Sequence, residues 1–481
     1  MKGNYLKEGL WVLCTTIILL LLLGFVPDFE IKYKHFNILS DILRSDNPEK
    51  EPDNNVTMEE SFDKNEEELL SLVKDSLKAT PSLGSKPCNG QDSLKVSEYA
   101  QSDDSTNISS PSDRVFIEDY SPNKKALSSF YKALQNDIKT RPVRIGVLGD
   151  SFIEADIITS KLRKLLQSRY GGSGVGFVPI ASPAAQYRQT IRHTFSGWTT
   201  YSMVYYKKAD WKKFCLSGFY FTPNKEDASV SLKTVKNEPV SMISFFFINQ
   251  KHTKIIVTIN NQPSVEYRPE SSESVQQLVF SDPAIQSVSI QVKQVDGFTA
   301  FGMYLNNTSG IYVDNFSVRG SSGSVLSTMS KELSMQLTQH VPYDLLVIQY
   351  GLNVIATDKK WYPSYKKLMI NAIQRLQECY PGVPILMMSV GDKGSKGAEG
   401  ITTHPGVLPL IEAQRQAADE AGIAFWNTYK AMGGEKSMAQ FVDHKPPMAA
   451  KDYTHINYLG GDKIAEQLFE SLMEEKKRLN P

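Results

Sequence analysis

Four short blocks hold residue types that together can carry out acyl transfer. Gly149-Asp150-Ser151 supplies a hydroxyl, which becomes a nucleophile only beside a base. Among seven histidines, His455 has an acid at a useful spacing, in Asp452-Tyr453-Thr454-His455. On an irregular loop an aspartate three residues back can accept the imidazole N–H and leave the other ring nitrogen facing a serine. His35 follows an apolar N-terminal run and His252 lies in a β-rich stretch. His193, His340, His404 and His444 fall in loops or at element edges, where a solvated ring is expected. Gly351-Leu352-Asn353 offers a side-chain amide, and Gly320 offers a backbone N–H with no side chain over it. Both are donors of the kind a tetrahedral oxyanion needs. Taken singly, each block is commonplace, as an N-cap, a turn or a loop glycine. Their value depends on where the chain puts them.

Residues 141–150 (RPVRIGVLGD) read as a buried strand that ends beside Ser151. Helical spacing then follows at Ile153, Ile157, Leu162, Leu165 and Leu166 and stops at Tyr170-Gly171-Gly172. Ser151 is therefore expected to open a helix, whose first amides and positive dipole end favour a nearby anion. The alternation resumes with strands at 343–350, 383–390 and 422–427 and helices at 361–379, 410–421 and 458–477. This pattern specifies an α/β fold, a parallel sheet with helices on both faces. Ligands of such sheets bind beyond the strands' carboxyl ends, where Ser151 and Asn353 both lie. Between the two stretches the short runs 240–247, 254–259, 277–280, 287–292 and 298–305 indicate a small antiparallel sandwich or jelly roll. The expected frame is split, 116–194 and 315–481, around an inserted β module at 195–314.

Block for block, Gly149-Asp150-Ser151, Gly320, Gly351-Leu352-Asn353 and Asp452-x-x-His455 resemble the signature blocks of the SGNH (GDSL) hydrolases, in the same order along the chain. The resemblance implies a flavodoxin-like sheet, Ser151 as nucleophile, His455 as base and Asp452 as its orienting acid. It also implies an oxyanion hole made of the Ser151 and Gly320 amides and the Asn353 side chain, and leaves Asp150 a structural part at the turn. The stretch 149–179, with its GSGVGFVP, and the module inserted before Gly320 are similar to bacterial peptidoglycan O-acetylesterases, in which the insertion is carbohydrate-binding-like. The implied reaction is removal of O-acetyl groups from an envelope glycan, without a metal or other cofactor. An envelope polysaccharide O-acetyltransferase and an acetyl xylan-type esterase share the triad. A membrane-tethered glycan-binding protein with an inactive frame is the alternative from another class.

The N-terminal residues set the expected location. Residues 11–26 (WVLCTTIILLLLLGFV) carry no charge and would form about 24 Å of helix, close to a hydrocarbon core of about 30 Å once flanking residues are added. No small-x-small site follows, so an uncleaved anchor over 1–30, with the body in the periplasm, is expected ahead of a cleaved signal and a secreted protein. Residues 31–115 are mostly polar and read as a spacer without a core of its own. The balance of 53 basic and 53 acidic residues argues against nucleic acid as a partner. Four cysteines in 481 residues, with no C-x-x-C, form neither a disulfide framework nor a zinc site. Outside the apolar run lie Cys88, Cys215 and Cys379, an odd number, and buried thiols are expected for the last two.

Overall fold

The computed structural model describes residues 30–31, 34–35, 114–204, 209–235, 239–356, 360–397 and 400–479. The chain divides into two compact units. In the smaller, Glu30–Ile31 pairs antiparallel with Lys34–His35. The apolar run 11–26 and nearly all of the expected spacer lie outside the described residues. Among the described residues no helix is long and apolar enough to cross a membrane.

The larger unit begins with β1 (Glu118–Asp119), α1 (Ser128–Asn136), β2 (Pro142–Gly149), α2 (Thr159–Tyr170) and β3 (Gly176–Val178). Ten strands of the insertion follow: β4 (Ile191–Ser196), β5 (Trp198–Ser202), β6 (Phe219–Pro223), β7 (Ala228–Thr234), β8 (Val240–Asn249), β9 (Lys254–Ile259), β10 (Val265–Tyr267), β11 (Ser272–Ile285), β12 (Ser287–Lys293) and β13 (Phe298–Asn306). The frame resumes with β14 (Gly310–Ser317), α3 (Lys331–His340), β15 (Leu345–Gln349), α4 (Tyr362–Cys379), β16 (Ile385–Met388), β17 (Gly394–Gly397), β18 (Gly400–Thr403) and α5 (Val407–Glu420). It ends with β19 (Ala424–Trp426), α6 (Thr428–Met432), α7 (Ser437–Asp443) and α8 (Tyr458–Leu479).

The frame sheet has the order β14-β2-β15-β16-β19-β1, parallel except for the short β1. Apart from its first residue, β2 is buried throughout, as a central parallel strand covered on both faces must be. Its apolar run was legible for that reason. The boundary drawn at 314/315 falls inside β14, all 8 residues of which run parallel beside β2.

The insertion forms two antiparallel sheets, β11-β8-β13-β6-β5, to which β3 adds beside β13, and β10-β9-β12-β7-β4. Alternate residues such as Phe245, Phe247, Val230, Ile290 and Met303 pack between them as a separate core. The other face of the first sheet joins the frame's core through Phe246, Phe301 and Tyr304. A buried polar knot fixes that seam. Asp314 of β14 accepts from Tyr343 Oη and Phe177 N at 2.8 Å each, and from Arg144 Nη1 at 3.4 Å. The Arg144 guanidinium lies 5.1 and 5.2 Å from the ring centroids of Tyr304 and Tyr312. Removing one partner of such a pair strands a buried charge, so the knot holds module and frame in one arrangement.

Cys215 and Cys379 are buried free thiols, as expected. His193 departs from the solvated reading. It sits on β4 with Nε2 3.0 Å from the Ile180 carbonyl, and burial pushes its pKa down to about 4.

Candidate active site

Ser151 follows β2 directly, and close packing shapes the turn. At Gly149 a Cβ would stand 2.7 Å from the Gln349 carbonyl oxygen of the neighbouring strand, so a side chain there would part β2 from β15. The next residue, Asp150, is fully buried. Its Oδ1 accepts from Phe152 N at 2.9 Å and its Oδ2 from Asn353 Nδ2 at 3.2 Å. Burial pushes its carboxyl up to about 7, against the opposing amides of Phe152, Leu352 and Gly351. Asp150 thus ties the serine turn to the loop after β15, a wider part than the turn role expected of it.

The helix expected from Ile153 does not start there. Residues Glu154–Asp156 form a single 3₁₀ turn, Ala155 and Asp156 take φ of 55° and 68°, and α2 begins at Thr159. The Asp156 carboxylate holds this break open. It accepts from Thr159 Oγ1 at 2.8 Å, Arg163 Nη2 at 3.1 Å, Arg188 Nε at 2.8 Å and Thr190 Oγ1 at 2.6 Å. Although burial opposes ionisation, Arg163 and Arg188 keep this carboxyl well below the usual range. Ser151 therefore does not open α2, and the expected effect of a helix N-terminus on it does not apply.

Helix α8 delivers the histidine. Gly460 and Gly461 open its first turn, and a Cβ on Gly461 would stand 2.1 Å from the Ile157 carbonyl oxygen. Only bare backbone lets α8 approach the segment after Ser151 so closely. The 452–455 loop then brings His455 Nε2 to 3.2 Å from Ser151 Oγ, and His455 Nδ1 lies 2.7 Å from Asp452 Oδ2. Asp452 Oδ1 accepts the backbone N–H groups of Thr454 and His455 at 2.9 and 3.0 Å. Partial burial would raise the Asp452 pKa. The bonds from the His455 ring and from the two amides outweigh it and hold the carboxyl below its ordinary value.

On the other side of Ser151, its own backbone N–H and that of Gly320 make no hydrogen bond among the described residues. Gly320 has φ of 79°, a conformation that favours glycine. The Asn353 amide donates to Asp150 Oδ2 at 3.2 Å and to the Ser321 carbonyl at 2.9 Å, and so spans the serine and Gly320 loops. An oxyanion would draw one of these N–H groups from its present acceptor. Replacing Asn353 with alanine is expected to lower kcat for ester hydrolysis by roughly 10²–10³, the usual loss on removing one such donor, with a modest fall in melting temperature because the same amide ties Asp150 to the Ser321 carbonyl. An unchanged kcat would make Asn353 a turn residue only.

Every sequence-predicted site residue, Ser151, Gly320, Asn353, Asp452 and His455, therefore borders one place beyond the strand ends. The structure adds residues that spacing did not reveal. Arg319 Nε bonds the Glu154 carboxylate at 3.0 Å, and the ion pair joins the Gly320 loop to the turn after Ser151. Lys393, before the β17–β18 hairpin, is half-buried within reach of the Asp452 charge. Burial lowers its pKa while the Asp452 charge raises it. The hairpin meets the histidine loop through Gly394 N and the Tyr453 carbonyl at 2.8 Å. Among the described residues no group of histidine, cysteine, aspartate and glutamate could hold a metal ion.

No family model matches the sequence, and neither does any curated protein. Solved structures do. A peptidoglycan O-acetylesterase superposes with a TM-score of 0.61 at 21% identity, covering 75% of this chain and 99% of that one. A salicylyl-acyltransferase from a tetracycline biosynthetic pathway gives a TM-score of 0.28 at 12% identity, over 62% of this chain and 96% of that one. A family two carbohydrate esterase from Cellvibrio japonicus gives 0.26 at 10%, over 60% and 99%. The last two are too distant to support an inference. The fold is thus that of an α/β frame carrying a β-rich module. In particular, it is similar to that of the peptidoglycan O-acetylesterase along that protein's whole length.

Proposed function

We propose that the protein is a serine esterase that removes O-acetyl groups from a cell-envelope glycan, peptidoglycan foremost. One observation carries this reading: the Ser151–His455–Asp452 chain of contacts, at 3.2 and 2.7 Å, stands beside two unoccupied backbone donors. Asp452 holds the proton of His455 on Nδ1, which leaves Nε2 free to take the Ser151 proton as Oγ attacks the acetyl carbonyl. The amides of Ser151 and Gly320 receive the oxyanion, and Asn353 adds a third donor. His455 returns its proton to the departing sugar hydroxyl. Water, deprotonated by the same ring, then releases acetate from Ser151. The similarity in fold to a peptidoglycan O-acetylesterase supports the choice of glycan. The apolar run 11–26, outside the described residues, completes the proposal as an anchor that keeps the catalytic body at the envelope.

The test is acetate release from O-acetylated peptidoglycan, measured beside acetylated xylan and beside acetyl transfer to added glycan. Faster release from peptidoglycan than from xylan, with water as acceptor, is expected. Acetyl transfer exceeding acetate release would make the protein a transferase, and release from xylan alone would move the substrate to another polysaccharide.

A further inference from the structure

On a loop tied to the segments that follow Ser151 and His455, the chain presents an aromatic side chain that hydrolysis itself does not use. Tyr187 ends a short 3₁₀ turn, Ala185–Tyr187, between β3 and the module. Its side chain is 64% exposed and its hydroxyl makes no hydrogen bond among the described residues. Its backbone, in contrast, is firmly held. The Tyr458 hydroxyl is shared between the carbonyls of Ala155 and Tyr187, 3.1 Å from the latter, and accepts Gln189 N at 3.2 Å. The neighbouring Arg188 bonds both the buried Asp156 and the Phe177 carbonyl.

These contacts place Tyr187 relative to both catalytic loops. Ala155 is four residues past Ser151, and Tyr458 three past His455, so the Cα atoms of Tyr458 and His455 are within about 11 Å. An isolated exposed aromatic on a surface needs no explanation. One whose main chain is clamped to the nucleophile segment and to the base's helix is a rigid platform with a free face. An aromatic face carries partial negative charge, which suits the C–H face of a pyranose. The backbone beneath is already tied by hydrogen bonds, so the ordering cost of using the ring falls on its own side-chain torsions.

We infer that Tyr187 is a specificity residue, the stacking platform for a sugar ring neighbouring the acetylated one. The assignment depends on Ser151 and His455 being the reacting pair of a glycan esterase. The platform would raise the affinity for polymer while contributing nothing to attack on the ester.

The experiment uses full-length Tyr187→Ala, Tyr187→Phe and wild-type protein, with kcat and KM measured on O-acetylated peptidoglycan and on p-nitrophenyl acetate. Tyr187→Ala is expected to lose about tenfold in kcat/KM on the glycan, as a stacking contact of this size would give, through KM and with p-nitrophenyl acetate unaffected. Tyr187→Phe should retain the wild-type value. Unchanged glycan kinetics in Tyr187→Ala would overturn the platform alone, and an equal fall on both substrates would reduce Tyr187 to a structural part. If wild-type protein cleaves p-nitrophenyl acetate and leaves the glycan intact, the glycan esterase reading fails and the platform with it.

Discussion

Replacing Ser151 with alanine is expected to lower kcat for acetate release by roughly 10⁵–10⁶, the loss that follows removal of a serine nucleophile. Among the described residues the only hydrogen bond of Ser151 Oγ is with His455 Nε2, so deleting the oxygen breaks no other bond that holds the loop. The turn is kept by Asp150, through Phe152 N and Asn353 Nδ2, and those bonds remain. Melting temperature should therefore stay within a few degrees of wild type, and p-nitrophenyl acetate turnover should fall to background. Retained turnover in a folded variant would remove Ser151 from the chemistry.

The second large effect belongs to Asp452→Asn, which keeps shape and removes charge. Asp452 Oδ1 accepts two backbone N–H groups and Oδ2 faces His455 Nδ1. An asparagine must keep its oxygen toward the two amides, so its NH₂ points at the ring. His455 Nδ1 then becomes an acceptor, and the proton moves to Nε2, where it faces Ser151 and blocks the base. A loss of about 10³–10⁴ in kcat is expected from this reversal of tautomer. Because Asp452 is 49% exposed, the fold should tolerate the change, and thermal unfolding checks that. A loss below tenfold would show that the His455 tautomer is set by something other than Asp452.

Much of this site is legible in the sequence because each part is local. The β2 run is buried on both faces and ends at a turn, so Ser151 announces itself. The Asp452–His455 contact closes within one loop, so spacing alone proposes it. Gly460-Gly461 is visible as a pair, but its reason, the Ile157 carbonyl against α8, joins residues some three hundred positions apart. Asp156 shows how local pattern misleads. The apolar spacing from Ile153 predicts a helix, yet four donors gathered from α2 and from residues 188 and 190 stabilise left-handed backbone in its place. The expected boundary at 314/315 divides β14 because the sequence there carries no helix to mark the frame's return, and only pairing with β2 assigns the strand to the frame. Arg319–Glu154 and Tyr187–Tyr458 are likewise contacts between distant segments, with no periodicity to reveal them.

The central claim is that Ser151 is the nucleophile of an acyl-transfer site. The most direct measurement is covalent labelling of the full-length protein with a fluorophosphonate, followed by mass analysis of its peptides. A single adduct on Ser151, rising in step with the loss of esterase activity, is the expected result. Activity that survives complete labelling of Ser151, or an inactivating adduct on another residue, would contradict it.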